Sequence, residues 1–404
     1  MTTTGPELEV ERIEGRRALE PIRAAWEGLL DRNETRTADL TPAWQLTYWD
    51  HFAADSELFL LVVREAGEIV AIAPLKRRKN WKFGLPIRYL EFLAAEESNY
   101  QDFIIGRRTK EVLDSILKFL MLHCSQWDVL YLCHLPEQST TARYFLDAPG
   151  RWNRSVVSRV EGVIRCTYME IDKTWEQYCR GSAKVRNKIA FKRRKLQKLG
   201  AITSCHCSSE QEYQTNLLRF FELHRRRWNG TDTPSQFHDG RYCRFYRDAG
   251  LQLLPKNQID LFMVEVDARP IAGLLTLRYD GGCVQQLTAY DPAYAHASPS
   301  LVMHELFVEE LFADNTRVFD FGHYYAYKEA WANSFKNTLD IKVHLGGPVP
   351  YYDQIASSLF QGLRERIRRH DAIWKAARYM RLRFRMLSGT PKGGAGSGEE
   401  PGAG

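Results

Sequence analysis

The chain has 404 residues, 44% of them hydrophobic and 26% charged, enough for one large or two medium cores and incompatible with wholesale disorder. No apolar run approaches the roughly 18 residues of a membrane span, and the polar N-terminus lacks the basic and apolar regions of a signal peptide. The net charge of +6 is uneven: 182–198 carries eight Lys/Arg and no acid, 359–387 carries nine against Glu365 and Asp371, and the remainder is mildly acidic. Such clusters imply anionic partners, whether phosphates, lipid head groups or nucleic acid. Eight scattered cysteines form no CxxC pair, which argues against a zinc ribbon or thioredoxin motif and suits a reducing cytoplasm.

Helices are expected over 16–31 and from Thr41-Pro42, where threonine caps and proline suits the first helical position. A hairpin follows over 59–63 and 69–75, then strands at 87–93 and 102–105, a helix at 110–124, a strand at 128–133 and a crossover over 156–171. Next come a basic helix at 183–199 stopped by Gly200, a strand at 201–206 and helices at 209–228 and 238–249. A second hairpin spans 259–266 and 271–279, before a strand at 283–290, a helix at 299–312, a strand at 318–321, and a short helix with a strand at 339–345. The pattern reads as α/β, two lobes with mixed sheets flanked by helices, at 1–165 and 166–350. A basic amphipathic helix over 351–387 and a flexible tail over 388–404 complete the expected layout.

In the basic helix, Val185, Ile189, Leu196 and Leu199 fall on one face. In 359–387, Leu359, Leu363, Ile367, Ile373, Ala377, Met380, Phe384 and Leu387 recur mostly at threes and fours with arginines opposite. That face suits an anionic lipid surface or packing on the body. Cys205-His206-Cys207 has metal-like composition, but strand alternation sends both cysteines to one side and the histidine to the other, so no metal site is expected.

The most informative stretch is 286–332. A strand ends at Tyr290, a polar loop follows, and a helix opens at Ser298-Pro299-Ser300. This aims a helix N-terminus at a sheet end, a general anion site, although a plain capped helix reads the same way.

Ile271-Ala-Gly273, Tyr290-Asp291 with Tyr294 and Ser298-Pro299, and Asp320-Phe-Gly322 with Tyr327-Lys328 and Trp331 resemble the CelD-type branch of GNAT-related acyltransferases. Those proteins share a fold with the Fem-type aminoacyl transferases, with two GNAT lobes per chain. Trp44, Trp175, Tyr178, Arg186, His224 and Trp228 are collinear with the same pattern, over about 42–347. Two departures stand out: Ser300 where Ser-Pro-Gly is usual, and His323-Tyr324-Tyr325 where a second glycine usually follows. Serine carries a Cβ that glycine lacks, which crowds a backbone approaching pyrophosphate.

The resemblance implies acyl-CoA as co-substrate, held at Asp291, Ser298, Pro299, Ser300 and Leu301, and an amine acceptor, with no metal. Such chemistry needs a base for the incoming ammonium, a donor for the tetrahedral oxyanion and an acid for the thiolate. His323 is the expected base, with Asp320 as alternative or orienting partner, and Tyr290 or Tyr327 the acid. Arg186, Tyr178, Lys328 and Trp228 are the expected substrate contacts.

The leading expectation is an envelope N-acyltransferase at the cytoplasmic side of the inner membrane, acting on a sphingoid-type lipid amine, with 359–387 at anionic lipid. Alternatives are acetyl transfer to an amino sugar of a polysaccharide precursor, Fem-type transfer from aminoacyl-tRNA, and a non-catalytic anion-binding protein. Nucleic acid is otherwise not an expected partner.

Overall fold

The computed structural model describes residues 6–345, apart from 83, 153–155, 182, 232 and 315, and beyond them 352, 353, 355 and 359. The expected amphipathic helix over 351–387 and tail over 388–404 otherwise lie outside the described residues. The chain forms two compact units. One comprises Met1–Thr35, Phe52–Val163 and Leu339–Gly404, the other Arg36–His51 and Ile164–Thr338. Each described unit is an α/β lobe with mixed strands and flanking helices.

The first unit holds β1 (Leu8–Ile13) and α1 (Arg23–Leu30). The single helix expected over 16–31 is broken: a 3-10 turn at Arg16–Leu19 precedes α1, because Pro21 removes a backbone donor. Then come β2 (Ser56–Leu58), β3 (Leu60–Glu65), β4 (Glu68–Ala73), β5 (Leu75–Lys82), β6 (Leu85–Phe92) and β7 (Ile104–Ile105). The antiparallel order β1-β3-β4-β7 makes one sheet, and β6 pairs β5 antiparallel and β8 (Val129–Pro136) parallel. Helix α3 (Thr109–Leu122) buries Val112, Leu113, Ile116, Leu117 and Leu120 at helical spacing in the core. Helix α4 (Thr140–Arg151), missed from sequence, is capped by Ser139, whose hydroxyl accepts from Ala142 N.

The second unit borrows α2 (Pro42–Phe52) up to His51. Thr41 Oγ1 accepts from Trp44 N at 3.3 Å, as the expected cap. The expected crossover over 156–171 is instead a long strand, β9 (Val156–Glu170), rich in β-branched residues. Helices α5 (Trp175–Gly181) and α6 (Ala183–Gln197) follow, then β10 (Ile202–His206), α7 (Glu210–Trp228) and α8 (Gly240–Leu253). Ile189 and Leu196 of α6 are buried, but Leu199 lies past the helix end and is exposed.

Strands β11 (Ile259–Val266) and β12 (Arg269–Tyr279) form the expected hairpin. It turns on Asp267 and Ala268, both at positive φ, which matches the right-handed twist of the strands. Next are β13 (Gly282–Tyr290), α9 (Pro299–Leu311), β14 (Val318–His323) and β15 (Ser334–Leu345). The strand order here is β10-β11-β12-β13-β14-β9, antiparallel except for β13 and β14. A Cβ on Gly273 of β12 would fall 2.7 Å from the Phe220 ring of α7, so glycine there lets helix and sheet close up. Cys205 and Cys207, the latter one residue past β10, both lie toward α7, by Arg219 and Asn216, while His206 turns the other way onto Phe307 and Glu310 of α9, as the alternation leads one to expect.

Candidate active site

β13, α9 and β14 form a parallel strand–helix–strand unit. The two strands pair over three residues only, Gly282 with Val318, Cys283 with Phe319 and Val284 with Asp320. Beyond that point β13 stays paired with β12 as far as Tyr290, while β14 pairs with β9 through His323 and Cys166. The facing edges of the two parallel strands therefore lose each other past Val284 and Asp320. Ligands in α/β sheets gather outside the carboxyl ends of parallel strands, where backbone groups are released from pairing.

The floor is set by Asp320, which is 2% exposed. Its Oδ1 accepts from Gly322 N at 2.7 Å, and Gly322 takes a φ of +73° that other residues rarely adopt. This local turn is the physical content of Asp-Phe-Gly: it breaks the register of β14 and presents His323 at the strand end. Lys328 is nearly buried, and its ammonium donates to the carbonyls of Phe321 at 2.6 Å and His323 at 2.9 Å, tying the chain back onto the end of β14. Tyr327 is 43% exposed and stacks on Tyr325.

At the end of β13, Asp291 is buried and shapes the following turn. Oδ1 accepts from Ala293 N at 3.0 Å, and Oδ2 accepts from Arg269 at 2.8 Å. The turn ends at Ser298, which sits in the left-handed region at φ +51° and leads into Pro299, the first residue of α9. Leu301 N donates back to Ser298 O at 3.0 Å. Lys192 of α6 donates to His296 O at 3.3 Å, so the basic helix brings a cation to the turn in front of α9. Ser298, Pro299, Ser300 and Leu301 are thus the first turn of one helix, with a lysine close by.

Sequence reasoning overlooked His304 and Gln285. His304 is buried on α9, its Nδ1 2.7 Å from Ser300 O and its Nε2 2.7 Å from the Gln285 amide. Burial, opposed by the Ser300 carbonyl and aided by the Lys328 charge, lowers its pKa to about 4. As placed, Ser300 O and Gln285 Oε1 are both acceptors while a neutral ring has one N–H to give; turning the Gln285 amide end for end lets Nδ1 donate to Ser300 and Nε2 accept from the amide NH2. Gln285 is the first residue of β13 past its last pair with β14. The available signal was the i, i+4 spacing of Ser300 and His304 just inside a helix start.

On α7, Arg227 stacks on Trp228 at 4.9 Å and on Tyr290 at 4.7 Å, bringing two of the expected site residues together. Trp228 Nε1 is buried and meets no acceptor among the described residues, an arrangement that calls for an explanation. His224 Nδ1 lies 2.8 Å from Ser235 Oγ. Ser235 Oγ also accepts from Phe237 N, so one hydroxyl ties His224 to the start of the following turn. The Tyr178 hydroxyl is buried and donates to Trp331 O at 3.0 Å. Arg186 lies on α6, and its side chain is outside the described set. Among the described residues no group of three or more His, Cys, Asp or Glu is placed to hold a metal, and no helix is long and apolar enough to cross a membrane.

Residues 183–329 match the family described as an acetyltransferase (GNAT) domain, a span running from α6 to the turn that carries Lys328. The chain is an enzyme of the N-acyltransferase class, and its α/β lobes are GNAT-like. GNAT domains in general take acyl-CoA as co-substrate. No curated protein matches the sequence. The fold is similar to the crystal structure of FemX, at 12% identity and a TM-score of 0.59 over 86% of this chain and 100% of that one. It is also similar to the C-terminal domain (DUF2156) of a candidate lysylphosphatidylglycerol synthetase from Agrobacterium fabrum, at 10% identity and a TM-score of 0.51 over 85% of this chain and 95% of that one. A conserved protein of unknown function from Bacteroides thetaiotaomicron VPI-5482 gives 9% identity and a TM-score of 0.50 over 84% and 100% of the two chains. At these identities the likeness is one of fold.

Proposed function

We propose that the chain transfers an acyl group from acyl-CoA to a primary amine, that the amine is a long-chain lipid amine of the sphingoid type, and that the protein stands with the CelD-type acyltransferases. The observation that carries the reaction is the parting of β13 and β14 beyond Val284 and Asp320 beside the first turn of α9. A helix N-terminus with an adjacent lysine suits the CoA pyrophosphate. The parted strand edge offers backbone N–H groups to a thioester carbonyl.

In this reading Asp291 holds the turn, and Ser298, Pro299, Ser300 and Leu301 carry the pyrophosphate with Lys192. The amine nitrogen attacks the thioester carbonyl carbon: the C–N bond forms, the C–S bond breaks, and the oxyanion in between is held by N–H groups of β13. His323 takes the proton of the incoming ammonium, and Asp320 positions the strand end that presents it. Tyr290 or Tyr327 returns a proton to the thiolate. Trp228, with its free indole N–H, and Arg186 contact substrate, whereas Lys328 and Tyr178 act by holding the β14 end and Trp331. The lipid acceptor is supported by the cationic amphipathic sequence at 359–387, which suits the cytoplasmic face of a membrane.

The test is thiol release from acetyl- to palmitoyl-CoA, with and without a sphingoid amine. Release that needs both the amine and a long chain is expected, and His323→Ala should cost about 100-fold or more in kcat. Release with acetyl-CoA and an amino sugar would move the acceptor to glycans. No release from any acyl-CoA would overturn the donor and direct attention to aminoacyl-tRNA or simple anion binding.

A further inference from the structure

Strands β5 and β6 extend past the body of their unit as a two-stranded ribbon. β2 pairs with β5 only over 76–78, and β8 pairs with β6 only over 89–91. Asn80 faces Ile87, which is still buried against Tyr89 and Val129; beyond it, at the tip, Trp81 faces Pro86 and Lys82 faces Leu85, and these residues pair with each other alone. Lys79, Asn80, Trp81, Gly84, Leu85 and Pro86 are all exposed, with Trp81 at 70% and Leu85 at 53%. A two-stranded ribbon is marginal in water by itself, and large apolar side chains at its end gain nothing from solvent.

Two features identify the medium that fits it. Side chains alternate across a strand, so Trp81 and Pro86 share one face while Leu85 projects from the other. A docking partner with a flat groove would cover one face. A tip that is apolar on both faces fits a medium that surrounds it. The charge pattern is the second feature: 76–88 reads KRRKNWKFGLPIR, six basic residues and no acid. Lys76, Arg77, Arg78 and Arg88, nearer the body, are paired with Glu96, Glu57, Glu91 and Asp128. Lys79, closer to the tip, meets no carboxylate among the described residues.

We infer that this ribbon is a membrane-surface anchor whose tip enters the interfacial layer of an anionic bilayer. Trp81 and Leu85 occupy the boundary between head groups and acyl chains, where the indole keeps its N–H wet and its ring dry. Lys79 meets lipid phosphate. The anchor is independent of which amine is acylated and of the basic sequence at 359–387.

The experiment uses the full chain, so that 359–387 is common to every protein compared. Partitioning is measured onto phosphatidylcholine vesicles with and without phosphatidylglycerol. Wild type is expected to bind the anionic vesicles, and Trp81→Ser/Leu85→Ser to bind about tenfold or more weakly with unchanged circular dichroism. Lys79→Glu should weaken binding to the anionic vesicles alone. Trp81→Phe keeps an aromatic ring, should still bind, and should lose the part of the tryptophan quenching that brominated lipids produce in wild type. Equal partitioning of wild type and the double variant, equal quenching of wild type and Trp81→Phe, or no vesicle binding by wild type would each overturn the inference.

Discussion

His304 Nε2 and the Gln285 amide lie 2.7 Å apart, linking the first turn of α9 to the point where β13 leaves β14. The same imidazole holds the Ser300 carbonyl through Nδ1. One buried ring thus fixes both the helix turn assigned to the pyrophosphate and the head of the cleft assigned to the thioester.

Removing that ring leaves the buried Gln285 amide and the Ser300 carbonyl without their partner. His304→Ala should cost about 1–3 kcal/mol in stability and lower kcat/KM by about tenfold, read by urea unfolding and thiol release. The pH dependence has a definite sign. The folded pKa of about 4 lies below the usual 6.5, so the contribution of His304 is present above pH 6.5 and is lost as pH falls toward 4. Wild type should lose thermal midpoint between pH 7 and 5 more steeply than His304→Gln.

Lys328 gives its ammonium to two carbonyls of β14. Lys328→Met should destabilise the protein by about 2–3 kcal/mol, the scale of hydrogen bonds from a charged donor. It should reduce kcat while leaving the KM for acyl-CoA near wild type, because the lysine sits at the β14 end and not at the α9 turn. Lys328→Arg should not rescue, since a planar fork does not replace a point charge in a buried site. A shift in the KM for acyl-CoA alone would contradict this placement.

Asp291 caps the turn before α9 and pairs with Arg269. Asp291→Ala should cost about 1 kcal/mol of stability and raise the KM for acyl-CoA several-fold with little change in kcat. Steady-state kinetics with varied acyl-CoA separates the two parameters.

His206 lies 2.9 Å from Asp260 and 2.5 Å from Glu310. Burial opposes its charge, but the two carboxylates outweigh burial and raise its pKa to about 9. A raised pKa contributes stability that is complete below pH 6.5 and disappears as pH climbs through 9. His206→Gln should lower the thermal midpoint at pH 6 and match wild type near pH 10, as a scan across pH would show.

The α/β pattern, both hairpins, α9 and the Asp-Phe-Gly strand were legible because hydrophobic periodicity and turn residues act locally. So was the meeting of a strand end with a helix N-terminus at Tyr290 and Ser298. β1, β5 and α4 were not legible: β5 is dominated by Lys and Arg, of which Lys76, Arg77 and Arg78 are paired with acids distant in sequence. The long strand β9 read as a connection because Val156-Val157 and Val163-Ile164 break any period of two, and only pairing with a neighbouring strand fixes it as one element. At the site, sequence supplied Asp320, His323, Tyr290 and the helix start by motif. The roles of Gln285, His304 and Arg227 emerged only from side chains meeting across elements.

What this sequence determined by itself was the local vocabulary: where helices cap, where strands turn, where charge clusters, and which residue types stand at the end of β13 and β14. What the tertiary structure decided was how far two strands stay paired. Three residue pairs between β13 and β14 followed by separation cannot be read from either segment alone. Pairing length depends on neighbours from elsewhere in the chain, here β12 holding one strand and β9 the other. The same long-range competition turned Lys328 inward onto two carbonyls and placed His304 between Ser300 and Gln285.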